Sequence, residues 1–272
     1  MKNSKYRWVL IAVLVVIAIY QVMNEEAPAD VVAPAPATVE QVEIVEEVAE
    51  DVAVEEPAVV VEEVEPTVMP VAVDKFAGLE EATGDFDFYV MALSWSPDYC
   101  ASNNAPQQCS VGKQLDFVLH GLWPPYDRGY PSYCSDESMA YDLRDDFVGL
   151  YPSEKLYDHE WEKHGTCTGL SAEGYLLWSE ALKNSLEIPT AYDSPAEPFR
   201  TNADELSEAF IVENPDFLAD SFAVYCSDSG RFLKEIFVCF EIDGEPRACS
   251  GELLKSASKS CGQESFLVRN TR

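Results

Sequence analysis

Histidine and positive charge are scarce in this chain. Three His and 18 Lys+Arg stand against 49 Asp+Glu among 272 residues, a formal net charge of −31. A protein that grips nucleic acid mainly by charge carries a basic patch or stripe. Bulk composition therefore argues against a DNA-binding module, yet leaves room for an enzyme with a small local cationic site. No Cys-x-x-Cys pair occurs, so a Cys₄ zinc site lacks its usual spacing. Nor is there an internal repeat.

Glycine, aromatics and cysteine are all missing from residues 24–74, where Val, Asp+Glu, Ala and Pro supply 45 of 51 residues. Such a stretch cannot bury a core, its like charges repel, and its prolines interrupt any long helical period. Residues 24–75 thus read as an extended acidic linker, about 40 Å long as a random coil at ~5–6 Å per root residue. Ahead of it, Lys2, Lys5 and Arg7 precede a mostly apolar run from Trp8 to Met23. The run lies between the length of a secretory core and that of a membrane span. Trp8 and Tyr20 flank it as interfacial aromatics, and Glu25-Glu26 occupy the place of a cleavage site, so residues 1–23 read as a signal-anchor. Ala27-Pro28-Ala29 keeps a cleaved signal peptide, and hence a secreted form, open. Either way the remainder is exported. The absence of an N-x-[ST] sequon fits a bacterial source and the periplasm.

Residues 76–272 hold all eight Cys, between positions 100 and 261. That pattern suits a disulfide-stapled exported domain, and its length suits one core. Strands are expected over Phe86–Trp95, Gln114–His120, Ser221–Cys226 and Phe232–Ile242. Helices are expected over Ala140–Leu150, Ala172–Leu186 and Ala203–Val212. Strands and helices mix without a regular βαβ rhythm, so the class is α+β, a mainly antiparallel sheet with flanking helices.

The three His fall in two short motifs, His120-Gly-Leu-Trp-Pro124 and His159-Glu-Trp-Glu-Lys-His-Gly-Thr-Cys167. At helical spacing His159 meets Lys163, and Glu160 meets His164. A zinc protease helix spaces its His at i and i+4. Here the spacing is i and i+5 with Lys163 between, so no metal or other cofactor is expected. Two imidazoles can instead act as general base and acid, with Lys163 and the third His facing a developing anion. That toolkit suits phosphoryl transfer.

Together with Phe86-Asp-Phe-Tyr-Val-Met-Ala-Leu-Ser-Trp-Ser-Pro-Asp-Tyr-Cys100, these motifs closely resemble the ribonuclease T2 family, from about Phe86 to Cys261. The resemblance implies an α+β fold and a monomeric catalytic domain. It also implies metal-independent endonucleolytic cleavage of single-stranded RNA through 2′,3′-cyclic phosphate to 3′-phosphate ends. Matched by position, His164 is the base, His120 the acid, His159 the phosphate-binding His, and Glu160 with Lys163 the pair stabilising the pentacovalent phosphorus. Trp123 matches an aromatic near the base-binding site, where it would stack a base or serve as core; Trp161 reads as core. Pro125 stands where some relatives carry a base-reading Asp. With Tyr126, Tyr130 or Tyr133 left to stack, broad base specificity is expected. The family pattern further implies disulfides Cys100–Cys109, Cys134–Cys167, Cys226–Cys261 and Cys239–Cys249. A catalytically idle RNA-binding or signalling protein on the same fold is the alternative, opposed by the intact His120, His159, Lys163 and His164. Residues 75–272 carry a net charge of −19, expected to favour imidazolium at the site and to place maximal activity at about pH 5–7.

Overall fold

The computed structural model describes residues 75–272. The expected anchor or signal at 1–23, and the linker apart from Lys75, lie outside the described residues. Strand β1 (Tyr89–Trp95) is aromatic and β-branched, and both its faces are buried. Tyr89, Met91, Leu93 and Trp95 enter the main core, while Val90 and Ala92 enter a smaller cluster on the opposite face. Alternation with two apolar faces makes a central strand. Two short helices follow, α1 (Ser96–Ser102) and α2 (Pro106–Cys109), then β2 (Phe117–Trp123). Ser96-Pro97, just past the end of β1, starts α1, because proline in a first turn loses no intrahelical bond.

The chain continues through α3 (Leu143–Asp146), α4 (Glu154–Lys163), α5 (Ala172–Asn184), β3 (Phe199–Thr201) and α6 (Ala203–Glu213). It ends with β4 (Phe222–Ser227), β5 (Phe232–Phe240), α7 (Gly251–Ser260) and β6 (Phe266–Val268). The helix expected over 140–150 shrinks to the four residues of α3. Phe147, at φ −119° and ψ 32°, leaves the helical conformation, and Gly149, at φ +89°, turns the chain. β5 stops at Phe240 rather than Ile242 because Glu241 and Gly244 close a turn. α7 has no counterpart among the expected helices; Ser250 caps it by accepting from the Leu253 amide.

Among the described residues six strands form one sheet in the order β2-β1-β5-β6-β3, with β4 on the other edge of β5. All pairings are antiparallel except β5 with β6. Helices α4, α5 and α6 cover the main core, where Trp161, Tyr175, Leu176, Leu206 and Phe210 are buried. On the other face α7 packs over Ala223, Phe237 and Cys239. Two β-bulges interrupt the ladders. Ala92 pairs with Gly121 but Leu93 pairs with Leu119, leaving His120 as the extra residue. Tyr225 pairs with Glu235 but Cys226 with Leu233, leaving Lys234 as the extra residue. Bulges re-aim side chains in this way beside active sites.

All eight cysteines are bridged: Cys100–Cys109, Cys134–Cys167, Cys226–Cys261 and Cys239–Cys249. Among the described residues no helix is long and apolar enough to cross a membrane.

Candidate active site

The two histidine motifs meet where the last turn of α4 lies against β2. The bulge presents His120, its side chain 37% exposed, to both sides: Nε2 lies 3.9 Å from Glu160 Oε1 and Nδ1 lies 3.5 Å from Glu235 Oε2. Glu160 is buried on α4, and its Oε2 accepts from Trp123 Nε1 at 2.8 Å. Trp123 meets the rings of two histidines, edge-on to His120 and stacked on His164, both with ring centroids 5.3 Å apart. Its ring also meets Phe237 edge-on at 5.0 Å. Trp123 therefore contacts both histidines and also lines the cleft. Trp161 is buried, donating its N–H to the Glu137 carbonyl at 2.9 Å.

His164 caps α4, its amide bonded to the Glu160 carbonyl at 2.9 Å, and the residue is only 4% exposed. Its Nδ1 is buried with no hydrogen-bond partner among the described residues. Burial pushes the imidazole down to about 3, helped by Lys163, His159 and His120. This reverses the direction expected from the acidic surface: desolvation and adjacent cations outweigh a distant, screened field. His159, exposed one turn earlier, is also lowered, by burial and then by Lys163 and His120. Burial raises the Glu160 carboxyl, against the pull of His120, the Trp123 bond and Lys163.

Both histidine motifs contain His-Gly, and the structure explains the glycines. A Cβ on Gly121 would overlap Glu160 Oε2 and lie 2.5 Å from Trp123 Nε1. On Gly165 it would overlap Trp161 Cε3. Only a bare backbone lets β2 approach Glu160, and lets the chain leave His164 against the buried Trp161.

A cleft of about 340 Å³ opens beside His164 and Lys163. Trp123, Pro125, Tyr126, Tyr130, Tyr225 and Phe237 are among its lining, as are Ser250 and Glu252. The structure thus gathers Trp123, Tyr126 and Tyr130 in the same cleft as His164, while Tyr133 is exposed and outside the lining. Asp127, Glu252 and Ser250, which sequence reasoning missed, bring hydrogen-bonding groups where Pro125 has none. The segment carrying Tyr130 is strapped to α4. Tyr133 donates its amide to the Lys163 carbonyl at 3.0 Å, Cys134 donates its amide to Thr166 Oγ1 at 3.1 Å, and the Cys134–Cys167 bridge closes the strap. Also missed was Glu235, a buried carboxylate inside an apolar strand. Its only advance sign was a Lys-Glu pair within Phe-Leu-Lys-Glu-Ile-Phe-Val-Cys-Phe. Among the described residues no group of three or more His, Cys, Asp or Glu could hold a metal ion.

Comparison with known proteins agrees with this geometry. The model of the ribonuclease T2 family matches residues 86–249. A ribonuclease of Aeromonas hydrophila is 41% identical over 197 residues, covering 70% of this chain and 88% of that protein. A probable ribonuclease of Haemophilus influenzae is 31% identical over 190 residues, 64% of each chain. Among solved structures, an RNase-related protein from Calystegia sepium superimposes with a TM-score of 0.54 at 19% identity, over 68% of this chain and 97% of that one. Trichomaglin, described as a novel S-like ribonuclease, gives 0.53 at 22% identity, over 61% and 92%. These two likenesses establish the fold. With two His motifs meeting across a bulged strand, a family match spanning most of the sheet and a 41% identical ribonuclease, the chain belongs to the ribonuclease T2 family and is an endoribonuclease.

Proposed function

We propose that the enzyme cuts single-stranded RNA without a metal, by attack of the substrate's own 2′-OH on the adjacent phosphorus. His164 takes the 2′-hydroxyl proton and His120 Nε2 gives a proton to the departing 5′-oxygen, leaving a 2′,3′-cyclic phosphate. In the second half His120 takes a proton from water and His164 returns one to the 2′-oxygen, giving a 3′-phosphate. The carrying observation is the environment of His164. Burial keeps the His164 imidazole unprotonated before reaction, as a proton acceptor must be, and its buried Nδ1 leaves Nε2 for the substrate. Lys163, His159 and Glu160 share the last turns of α4 and would face the charge that develops on phosphorus. Residues 76–272 form the catalytic domain. The aromatic cleft of Trp123, Tyr126 and Tyr130 takes the base by stacking, which tolerates any base and supports broad specificity.

The test is to incubate the full chain with RNA in EDTA and identify the ends. Cyclic and 3′-phosphate ends are expected. Cleavage of 2′-deoxy substrate, or loss in EDTA that a divalent metal restores, would overturn the mechanism. We also infer export, held at the membrane by residues 1–23 and spaced by the linker; four disulfides support an oxidising compartment. A reporter fused after Arg272 and a high-salt wash of membranes would test export and tether separately.

A further inference from the structure

The catalytic acid is bracketed by two buried carboxylates, and the mechanism uses only one. Glu235 is 5% exposed in the middle of β5, where a carboxylate has no place unless something meets it. Alternation along β5 puts Glu235 on the face of Phe237 and Cys239, the face that Trp123 packs against. The strand order places β1 between β2 and β5, so the backbones carrying His120 and Glu235 stand about 10 Å apart, two strand spacings. The β1 residues beneath that gap are small: Ala92 opposite Gly121 and Phe237, and Ser94 opposite Glu235. Side chains from the two outer strands can therefore meet over β1. They do, with Nδ1 of His120 and Oε2 of Glu235 at 3.5 Å.

The two oxygens of Glu235 are divided. Lys234, aimed by its own bulge, holds Oε1 at 2.5 Å, which leaves Oε2 for the imidazole. Nδ1 of His120 is buried and completes no hydrogen bond among the described residues, and the carboxylate facing it is Glu235 Oε2 at 3.5 Å. An imidazole whose Nδ1–H is claimed by a carboxylate keeps one tautomer and one ring orientation. Here that orientation turns Nε2 toward Glu160 Oε1, 3.9 Å away.

We propose that Glu235 is a positioning residue for His120, receiving its Nδ1–H so that Nε2 faces the leaving 5′-oxygen. The proposal rests on the reading of His120 as the acid. Glu235 acts through His120 and touches no substrate. Its removal should therefore matter only when the leaving group needs a proton.

The experiment compares two substrates of the full-length enzyme: a dinucleotide, whose 5′-alkoxide must be protonated, and a nucleoside 3′-(4-nitrophenyl phosphate), whose leaving group departs unaided. Glu235→Ala should lower kcat on the dinucleotide by about 10–100-fold, the scale on which removing the partner behind a working histidine acts, with KM unchanged. The aryl ester should be cleaved at the wild-type rate. Glu235→Gln, whose amide oxygen still accepts from Nδ1–H, should recover much of the loss. With only three His in the chain, ¹⁵N-imidazole NMR of the neutral form should show His120 as the Nδ1–H tautomer in wild type and a mixture in Glu235→Ala. Equal losses on both substrates, an unchanged dinucleotide kcat, or an Nε2–H tautomer in wild type would each overturn the proposal. His120→Ala is the control. If it spares the aryl ester and Glu235→Ala does not, the proposal alone fails. If it impairs both substrates equally, the acid assignment fails and the proposal with it.

Discussion

Holding His164 neutral in the folded enzyme has a thermodynamic cost that can be measured. The folded imidazole titrates near 3, through burial first and then Lys163, His159 and His120, while an unfolded one titrates near its ordinary 6.5. Between those values the unfolded chain binds the extra proton and the folded chain does not. The contribution is therefore fully present above pH 6.5 and is lost as pH falls. Each pH unit below 6.5 removes about 1.4 kcal/mol, so about 3 kcal/mol should be gone by pH 4. His164→Asn cannot protonate in either state. Carboxylates such as Glu160 and Glu235 titrate in both proteins and largely cancel in the difference. Urea unfolding of wild type and His164→Asn at pH 7, 5.5 and 4 should show the variant's relative stability rising by that amount. A difference that stays flat from pH 7 to 4 would refute the claim that His164 is held neutral by its surroundings. The same site predicts that the acid limb of kcat/KM lies well below the ordinary histidine range, and a limb at pH 6–7 would count against it.

Three further outcomes are expected. His120→Ala and His164→Ala should each lower kcat on RNA by about 10²–10⁴-fold with the fold retained, and near-normal turnover in either would reject its role. Gly121→Ala should displace Glu160 from Trp123 and cost about 1–3 kcal/mol from overpacking alone, together with most of the activity; wild-type kcat and melting temperature would show that the contact is not needed. Cys134→Ser should cost about 2–5 kcal/mol and loosen the Tyr130 wall, read as lower stability and a raised KM, and an unchanged KM would show that the strap does not shape the cleft.

Much of the fold and site is legible in the sequence, for identifiable reasons. β1 and β5 are long, β-branched and aromatic, and both form close to where their patterns place them. Three His in two motifs could hardly be scattered, and they are not. The short elements β3 and β6, three residues each, carry too little pattern to be seen. α7 does carry a signal, though a faint one: Leu253, Leu254 and Ala257 recur at helical spacing behind the Ser250 cap. Glu235 and the acceptors from the α7 side are out of reach, because strand order and bulges, not local sequence, bring them to the site. Charge counting misjudges His164 because burial, which decides its protonation, is a property of packing.

The bulge at His120 also says something about how such a site can be gained or lost. Leu119 and Leu122 both point into the main core although they stand three residues apart, an odd step that a regular strand forbids. Excise His120 alone, and Leu-Gly-Leu becomes an ordinary alternating stretch, its flanking residues still paired with Leu93 and Ala92. The register of the ladder is kept, and the imidazole proposed as the acid is lost. On that reading the acid occupies an insertion in the strand, so deleting residue 120 alone should disturb the sheet less than Gly121→Ala, whose Cβ meets Glu160.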